Sequence, residues 1–215
     1  MDLLIKVLLA YLLGSVVGSL VIGRLRGGVD IRKLGSGNPG STNALRTQGL
    51  AFGIWVIVID VAKGWIAAGL LPVIELPFVA ASGPAQLTWL APACALAAVV
   101  GHVFPVWHGF RGGKGVATLV GAYAGLDIAL LVPLILSWLA VIAVSGFVGL
   151  SSIAAAFALP VYLLMRDGVR FTPLLGFALA CAVLVAYTHR GNVRRMRAGT
   201  EPRARKLWLF GRGRT

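Results

Sequence analysis

The chain has 215 residues, 58% hydrophobic and 13% charged, with a mean hydropathy of +0.88. Soluble domains carry about 25% charged residues, so the composition excludes an ordinary water-soluble fold and marks an all-α polytopic membrane protein, one membrane-embedded domain over residues 1–215. A net charge of +13 would suggest nucleic acid in a soluble chain; here the cations lie in loops and a tail between apolar runs, which assigns them to membrane topology and anionic ligands and leaves no nucleic-acid partner.

In chain order, Leu3–Ile22 reads as a first apolar span, uncleaved because its apolar run is long and no small-residue cleavage pattern follows. Arg24–Leu50 is a polar loop with five cations, Arg24, Arg26, Arg32, Lys33 and Arg46. Leu50–Leu71 is a second span, interrupted by Asp60 and Lys63, one helical turn apart. Each alone would cost several kcal/mol in hydrocarbon, so they are expected to pair inside the bundle. Pro72–Trp89 carries one acid, Glu75, and no Lys or Arg. A third span runs from about Leu90 to Val106. Gly115–Leu126 is apolar but has 12 residues, about 18 Å of helix against a core of about 30 Å. Ile128–Phe147, Leu150–Met165 and Phe171–Tyr187 are further spans. His189–Thr215 is a tail with nine Lys or Arg. Cys94 and Cys181 lie in apolar segments and read as small core residues, with no disulfide, metal or cofactor implied.

Charge decides whether the short segment crosses. With seven spans, sixteen cations face one side and two the other, leaving aside Lys6 and Lys63; with six, the tail moves opposite the first loop. The positive-inside rule favours seven, with the N-terminus outside, the C-terminus cytoplasmic and three polar segments meeting at the cytoplasmic face.

The first two of those segments have the chemistry of an anion site. In Gly35–Asn43 the glycines allow close backbone approach, and Ser36, Ser41, Thr42 and Asn43 offer neutral hydrogen bonds; alternatively the run simply caps a helix. Arg46 supplies a bidentate fork for phosphate. In Gly101–Thr118, Arg111-Gly112-Gly113-Lys114-Gly115 places two cations at the mouth of the short apolar helix, where backbone N–H groups and the positive helix end can hold an anion. Lys114 is not a nucleotide-loop lysine, because Gly115 follows it where Ser or Thr is needed. In the third segment, His189 could act as a base or as a hydrogen-bond donor, or simply end its helix. His102 and His108 read as structural, His102 holding the glycine loop through the backbone.

Together, Ser36–Arg46 (SGNPGSTNALR), Gly101–Thr118 (GHVFPVWHGFRGGKGVAT) and His189–Glu201 (HRGNVRRMRAGTE) resemble the bacterial membrane glycerol-3-phosphate acyltransferases that use acyl phosphate. The three stretches come in family order, and the span pattern matches over nearly the whole chain. Arg111 stands where the family pattern is expected to have Lys, which keeps the charge.

The resemblance implies a seven-helix enzyme of the bacterial inner membrane with its site facing the cytoplasm. It would transfer an acyl chain from acyl phosphate to the 1-hydroxyl of glycerol 3-phosphate, giving lysophosphatidic acid, with no cofactor. Ser36, Lys114, His189 and Asn192 are the expected catalytic residues, and Asn38, Thr42, Asn43, Arg46, Arg111, Gly112, Gly113, Gly115 and Glu201 the expected substrate-binding ones. Within that set, Ser36, Lys114 and the Gly112–Gly113 backbone are assigned to acyl phosphate, and Arg46, Asn43, His189 and Asn192 to glycerol 3-phosphate. Three routes for the hydroxyl proton stay open: His189, the substrate's own phosphate, or an acylated Ser36. The rival reading is a transporter or flippase for a phosphorylated metabolite, which would ordinarily carry internal repeats; none is convincing here.

Overall fold

The computed structural model describes residues 1–77, 79–80 and 82–211, and these are helical or irregular throughout. Arg212 and Arg214 of the basic tail lie outside the described residues. The chain separates into two compact units, Met1–Ile128 and Ala129–Thr215. By length and composition four helical segments can cross a membrane: Leu50–Val73, Gln86–His108, Ile128–Ser145 and Val148–Asp167. Two bent pairs raise the number to six, and one shorter apolar helix accompanies them.

In the first unit the expected continuous span at the N-terminus is broken. Helix α1 (Asp2–Gly14) and helix α2 (Gly18–Leu25) meet at a bend of 49°. The Tyr11 carbonyl accepts both the Ser15 N–H and the Ser15 hydroxyl, a back-bond of the kind that bends helices. The break frees polar backbone groups inside an apolar bundle, where each unsatisfied one is costly. The second span supplies the partners. Lys63 Nζ donates to the carbonyls of Gly14 at 2.9 Å and Val16 at 2.6 Å, and the Gly18 N–H donates to Asp60 Oδ1 at 3.1 Å. Lys63 and Asp60 also pair with each other at 2.9 Å, both buried. The ammonium therefore sits at the negative end of α1 and the carboxylate at the positive end of α2, the favourable sign at both termini. The expected Asp60–Lys63 pair is present, and its backbone partners explain why two charges stay inside.

The first polar loop contains helix α3 (Ser41–Gln48), which leads through Gly49 into α4 (Leu50–Trp65). Helix α5 is Pro84–Val103, and α6 is Val116–Leu126. Small residues let the backbones meet. A Cβ on Gly14 would strike the backbone of Ala98 in α5, and one on Gly101 would strike the Tyr11 carbonyl of α1. Gly64 of α4 and Gly121 of α6 make the same kind of close approach, against the carbonyls of Thr118 and Val61. Helix α6 has 11 residues, about 16 Å, and it is held by this contact with α4 rather than by its own length. Cys94 lies in the α1–α5 core with Ala10, Ala67, Leu90 and Ala98.

In the second unit, α7 (Leu131–Ser145) ends at Gly146, whose φ of 74° suits glycine. Helix α8 (Val148–Asp167) packs against both α7 and α9 (Pro173–Thr188). Pro173 takes the first turn of α9, and Thr172 caps it by accepting from the Leu175 N–H. The chain then bends by 50° at His189 into α10 (Arg190–Arg197). Cys181 is buried in α9, as expected of a core residue.

Candidate active site

The first polar loop is shaped by Asn43. Its Oδ1 accepts from the Ser36 N–H at 3.0 Å, and its Nδ2 donates to the carbonyls of Leu34 at 2.9 Å and Ile31 at 3.3 Å. Both amide protons are committed, so Asn43 holds the loop in shape. A Cβ at Gly35, φ 55°, would strike that Asn43 oxygen, which is why glycine stands there. The Pro39 carbonyl accepts from the buried Ser19 hydroxyl at 2.6 Å and ties the loop to α2. Nearby, the Arg32 guanidinium grips both oxygens of Asp30 and holds its carboxyl below the usual carboxylate range. The Ser36 hydroxyl and the Arg46 guanidinium are exposed, Asn38 and Thr42 half-buried. Among the described residues Arg46 has no carboxylate partner, and the Ser36 hydroxyl is bonded to no base.

The glycine turn is arranged differently from expectation. The amides of Gly112 and Gly113, assigned from the sequence to an anion, are spent on the carbonyls of Val103 and His102, each at 3.1 Å. These glycines serve close packing instead: a Cβ on Gly112 would strike the His102 carbonyl, and one on Gly113 the His102 ring. Gly115, φ 84°, precedes α6 and supplies no side-chain cap. The first-turn amides of α6 therefore have no intrahelical acceptor, and the N-cap residue offers them no side chain. Lys114 is half-buried at this mouth, and Arg111 is exposed with no carboxylate partner among the described residues.

His102 links the turn to the buried pair. Its carbonyl holds the loop through Gly113, as the sequence suggested, and its Nδ1 lies 2.8 Å from Lys63 Nζ. The same Nδ1 lies 3.4 Å from Asp60 Oδ1, so the ring touches both members of the pair. Lys63 is thereby committed to Asp60, His102 and two carbonyls; it does not reach out to a substrate. The turn is also tied to the break itself, since the Val106 N–H donates to Ser15 Oγ and the Trp107 indole to the Leu12 carbonyl. Both polar loops hang from one broken helix, through Ser19 and Ser15.

In the second unit, His189 Nδ1 lies 2.8 Å from the Val185 carbonyl and must donate to it. That fixes the neutral ring as the tautomer whose Nε2 accepts. Of the roles open to His189, base or acceptor fits this tautomer and neutral donor does not. Asn192 is buried, with Nδ2 donating to Glu201 Oε1 at 2.6 Å, and Arg195 Nε donates to Glu201 Oε2 at 2.7 Å. Both oxygens of Glu201, expected among the binding residues, are used in these two bonds, which hold Asn192 and Arg195 together. A cavity of about 520 Å³ is lined by Thr188, Arg190, Gly191 and Arg194. Among the described residues no three His, Cys, Asp or Glu side chains gather as a metal site requires.

The family model described as glycerol-3-phosphate acyltransferase matches residues 4–199. A glycerol-3-phosphate acyltransferase of Thioalkalivibrio sulfidiphilus is 43% identical over 197 residues, covering 92% of this chain and 91% of the relative. One from Chlorobaculum tepidum is 38% identical over 221 residues, covering 92% and 94%. The integral membrane glycerol 3-phosphate acyltransferase PlsY (YgiH), solved in a glycerol 3-phosphate form, superposes with a TM-score of 0.81 at 33% identity, covering 94% of this chain and 96% of that one. Its lysophosphatidic acid form gives 0.81 at 34%, covering 98% and 100%. Sequence and fold agree over nearly the full length, and the chain belongs to the glycerol-3-phosphate acyltransferase family.

Proposed function

We propose that the chain transfers a fatty acyl group from acyl phosphate to the 1-hydroxyl of glycerol 3-phosphate, the first step of phospholipid synthesis. The hydroxyl oxygen bonds to the acyl carbon, the carbon–oxygen bond to phosphate breaks, and the hydroxyl proton ends on the departing phosphate. The products are lysophosphatidic acid and inorganic phosphate. Because acyl phosphate is already activated, the protein mainly orients two anions and screens their repulsion. The observation that carries this reading is a pair of cationic loops tied to the same helix break, each with an exposed arginine that lacks a carboxylate partner among the described residues. The relative solved with glycerol 3-phosphate and with lysophosphatidic acid supports it.

In this reading Lys114, Arg111 and the first-turn amides of α6 take the acyl phosphate, with the Ser36 hydroxyl as a hydrogen-bond donor. Arg46, with Asn38 and Thr42 beside it, takes the phosphate of the acceptor. His189 accepts the hydrogen bond of the reacting hydroxyl through Nε2, and Asn192, set by Glu201, orients the acceptor. Asn43, Gly112, Gly113 and Gly115 shape the loops. Residues 1–215 act as one acyltransferase domain. The multi-pass chain lies in the bacterial inner membrane with its basic loops in the cytoplasm.

Purified enzyme given both substrates should release inorganic phosphate, and acyl-CoA should not replace acyl phosphate. Uptake of a phosphorylated metabolite into vesicles without phosphate release would instead mark a transporter. In intact cells an impermeant thiol reagent should label a cysteine at exposed Glu75 and spare one at exposed Lys206; the reverse pattern would invert the orientation.

Lys114 and Arg46 should separate kinetically. The Lys114 charge faces the leaving phosphate, so its contribution grows as the acyl–oxygen bond breaks, and Lys114→Ala should lower kcat by roughly a hundredfold or more. Arg46 binds the acceptor about equally before and during reaction. Arg46→Ala should raise the KM for glycerol 3-phosphate by roughly ten- to a hundredfold, the scale of one charged hydrogen-bond pair. If Lys114→Ala alters acceptor affinity alone, or Arg46→Ala donor affinity alone, the division of the two phosphates is wrong.

A further inference from the structure

The C-terminal segment beyond the family match is not a free basic tail. The Ala204 N–H donates to the Gly146 carbonyl at 2.8 Å, and the Trp208 indole donates to the Val144 carbonyl at 3.0 Å. The Arg203 guanidinium lies 4.8 Å from the Phe147 ring and 4.2 Å from the Trp208 ring. These anchors fix the segment at the end of one apolar span, Ile128–Ser145, and the start of the next, Val148–Asp167.

Fixed there, the segment turns large apolar side chains outward. Leu207, Leu209 and Phe210 are 51%, 65% and 69% exposed, and Arg205 and Lys206 beside them are exposed as well. Water is a poor neighbour for that apolar row, and hydrocarbon is a poor neighbour for the two cations. The boundary between acyl chains and acidic headgroups satisfies both. The position at the ends of two spans puts the row at such a boundary, and Trp208 is the residue type that settles there.

We propose that residues 203–211 form an interfacial docking surface for anionic phospholipid, with Leu207, Leu209 and Phe210 entering the acyl region and Arg205 and Lys206 meeting the headgroups. The surface lies outside the residues assigned to the reaction, so it stands or falls separately from that assignment.

The test uses the full-length enzyme carrying an environment-sensitive fluorophore on Phe210→Cys; Cys94 and Cys181 are buried and do not compete. The enzyme is placed in nanodiscs of phosphatidylcholine alone or mixed with phosphatidylglycerol. Admixing the anionic lipid should shift the emission to the blue, and high salt should weaken the shift. Replacing Arg205 and Lys206 together by Gln should lower the ratio of lipid-bound to free segment roughly thirtyfold, from two headgroup contacts of ordinary strength. Emission that is the same in both lipids, or unaffected by the double replacement, would overturn the proposal.

Discussion

An ammonium and a carboxylate buried side by side set the geometry of the first unit. Lys63 and Asp60 would be a liability in an apolar bundle if they only paired, since removing two ions from water can cost more than their attraction returns. They stay because the broken first span offers each a backbone partner of the right sign. The break in turn would be a liability without them. Three attachments radiate from it: Ser19 to Pro39, Ser15 to Val106, and Lys63 through His102 to Gly113. Two loops distant in sequence are thus held at one place by a single polar knot.

The few acids of the chain follow the same economy. The sequence has seven Asp and Glu against twenty Lys and Arg. Asp2 pairs with Lys6, Asp30 with Arg32, Asp60 with Lys63, Asp167 with Arg166, and Glu201 with Arg195. These acids fix scaffolding groups, and among the described residues none is spent on Arg46 or Arg111. A surface meant to hold two phosphates needs cations whose charge is not already neutralised, and this distribution leaves them.

Much of this could be read from the residues. The apolar runs, the short sixth helix, the Asp60–Lys63 pair and the role of His102 as a loop holder follow from spacing and from the cost of charge in hydrocarbon. The break in the first span could not be read, because Ser15-Val-Val-Gly18 carries no proline and its stability depends on side chains some 45 residues away in sequence. The same limit misassigned the Gly112 and Gly113 amides: glycine reports that something comes close, and here that something is His102 rather than a ligand. The bonds of Glu201 to Asn192 and Arg195 were likewise not legible, because its motif gives its neighbours in sequence and not its partners in space.

The central claim is that one buried pair positions both polar loops, and amide hydrogen exchange on Lys63→Met tests it most directly. The replacement leaves Asp60 charged and the carbonyls of Gly14 and Val16 without a donor, a loss of about 3–5 kcal/mol where such a pair is broken. Amides in residues 30–46 and 104–115 should then exchange faster together, by at least roughly tenfold, while those of Val148–Asp167 keep their wild-type rates. Exchange that rises in one loop only, or in neither, would contradict the account.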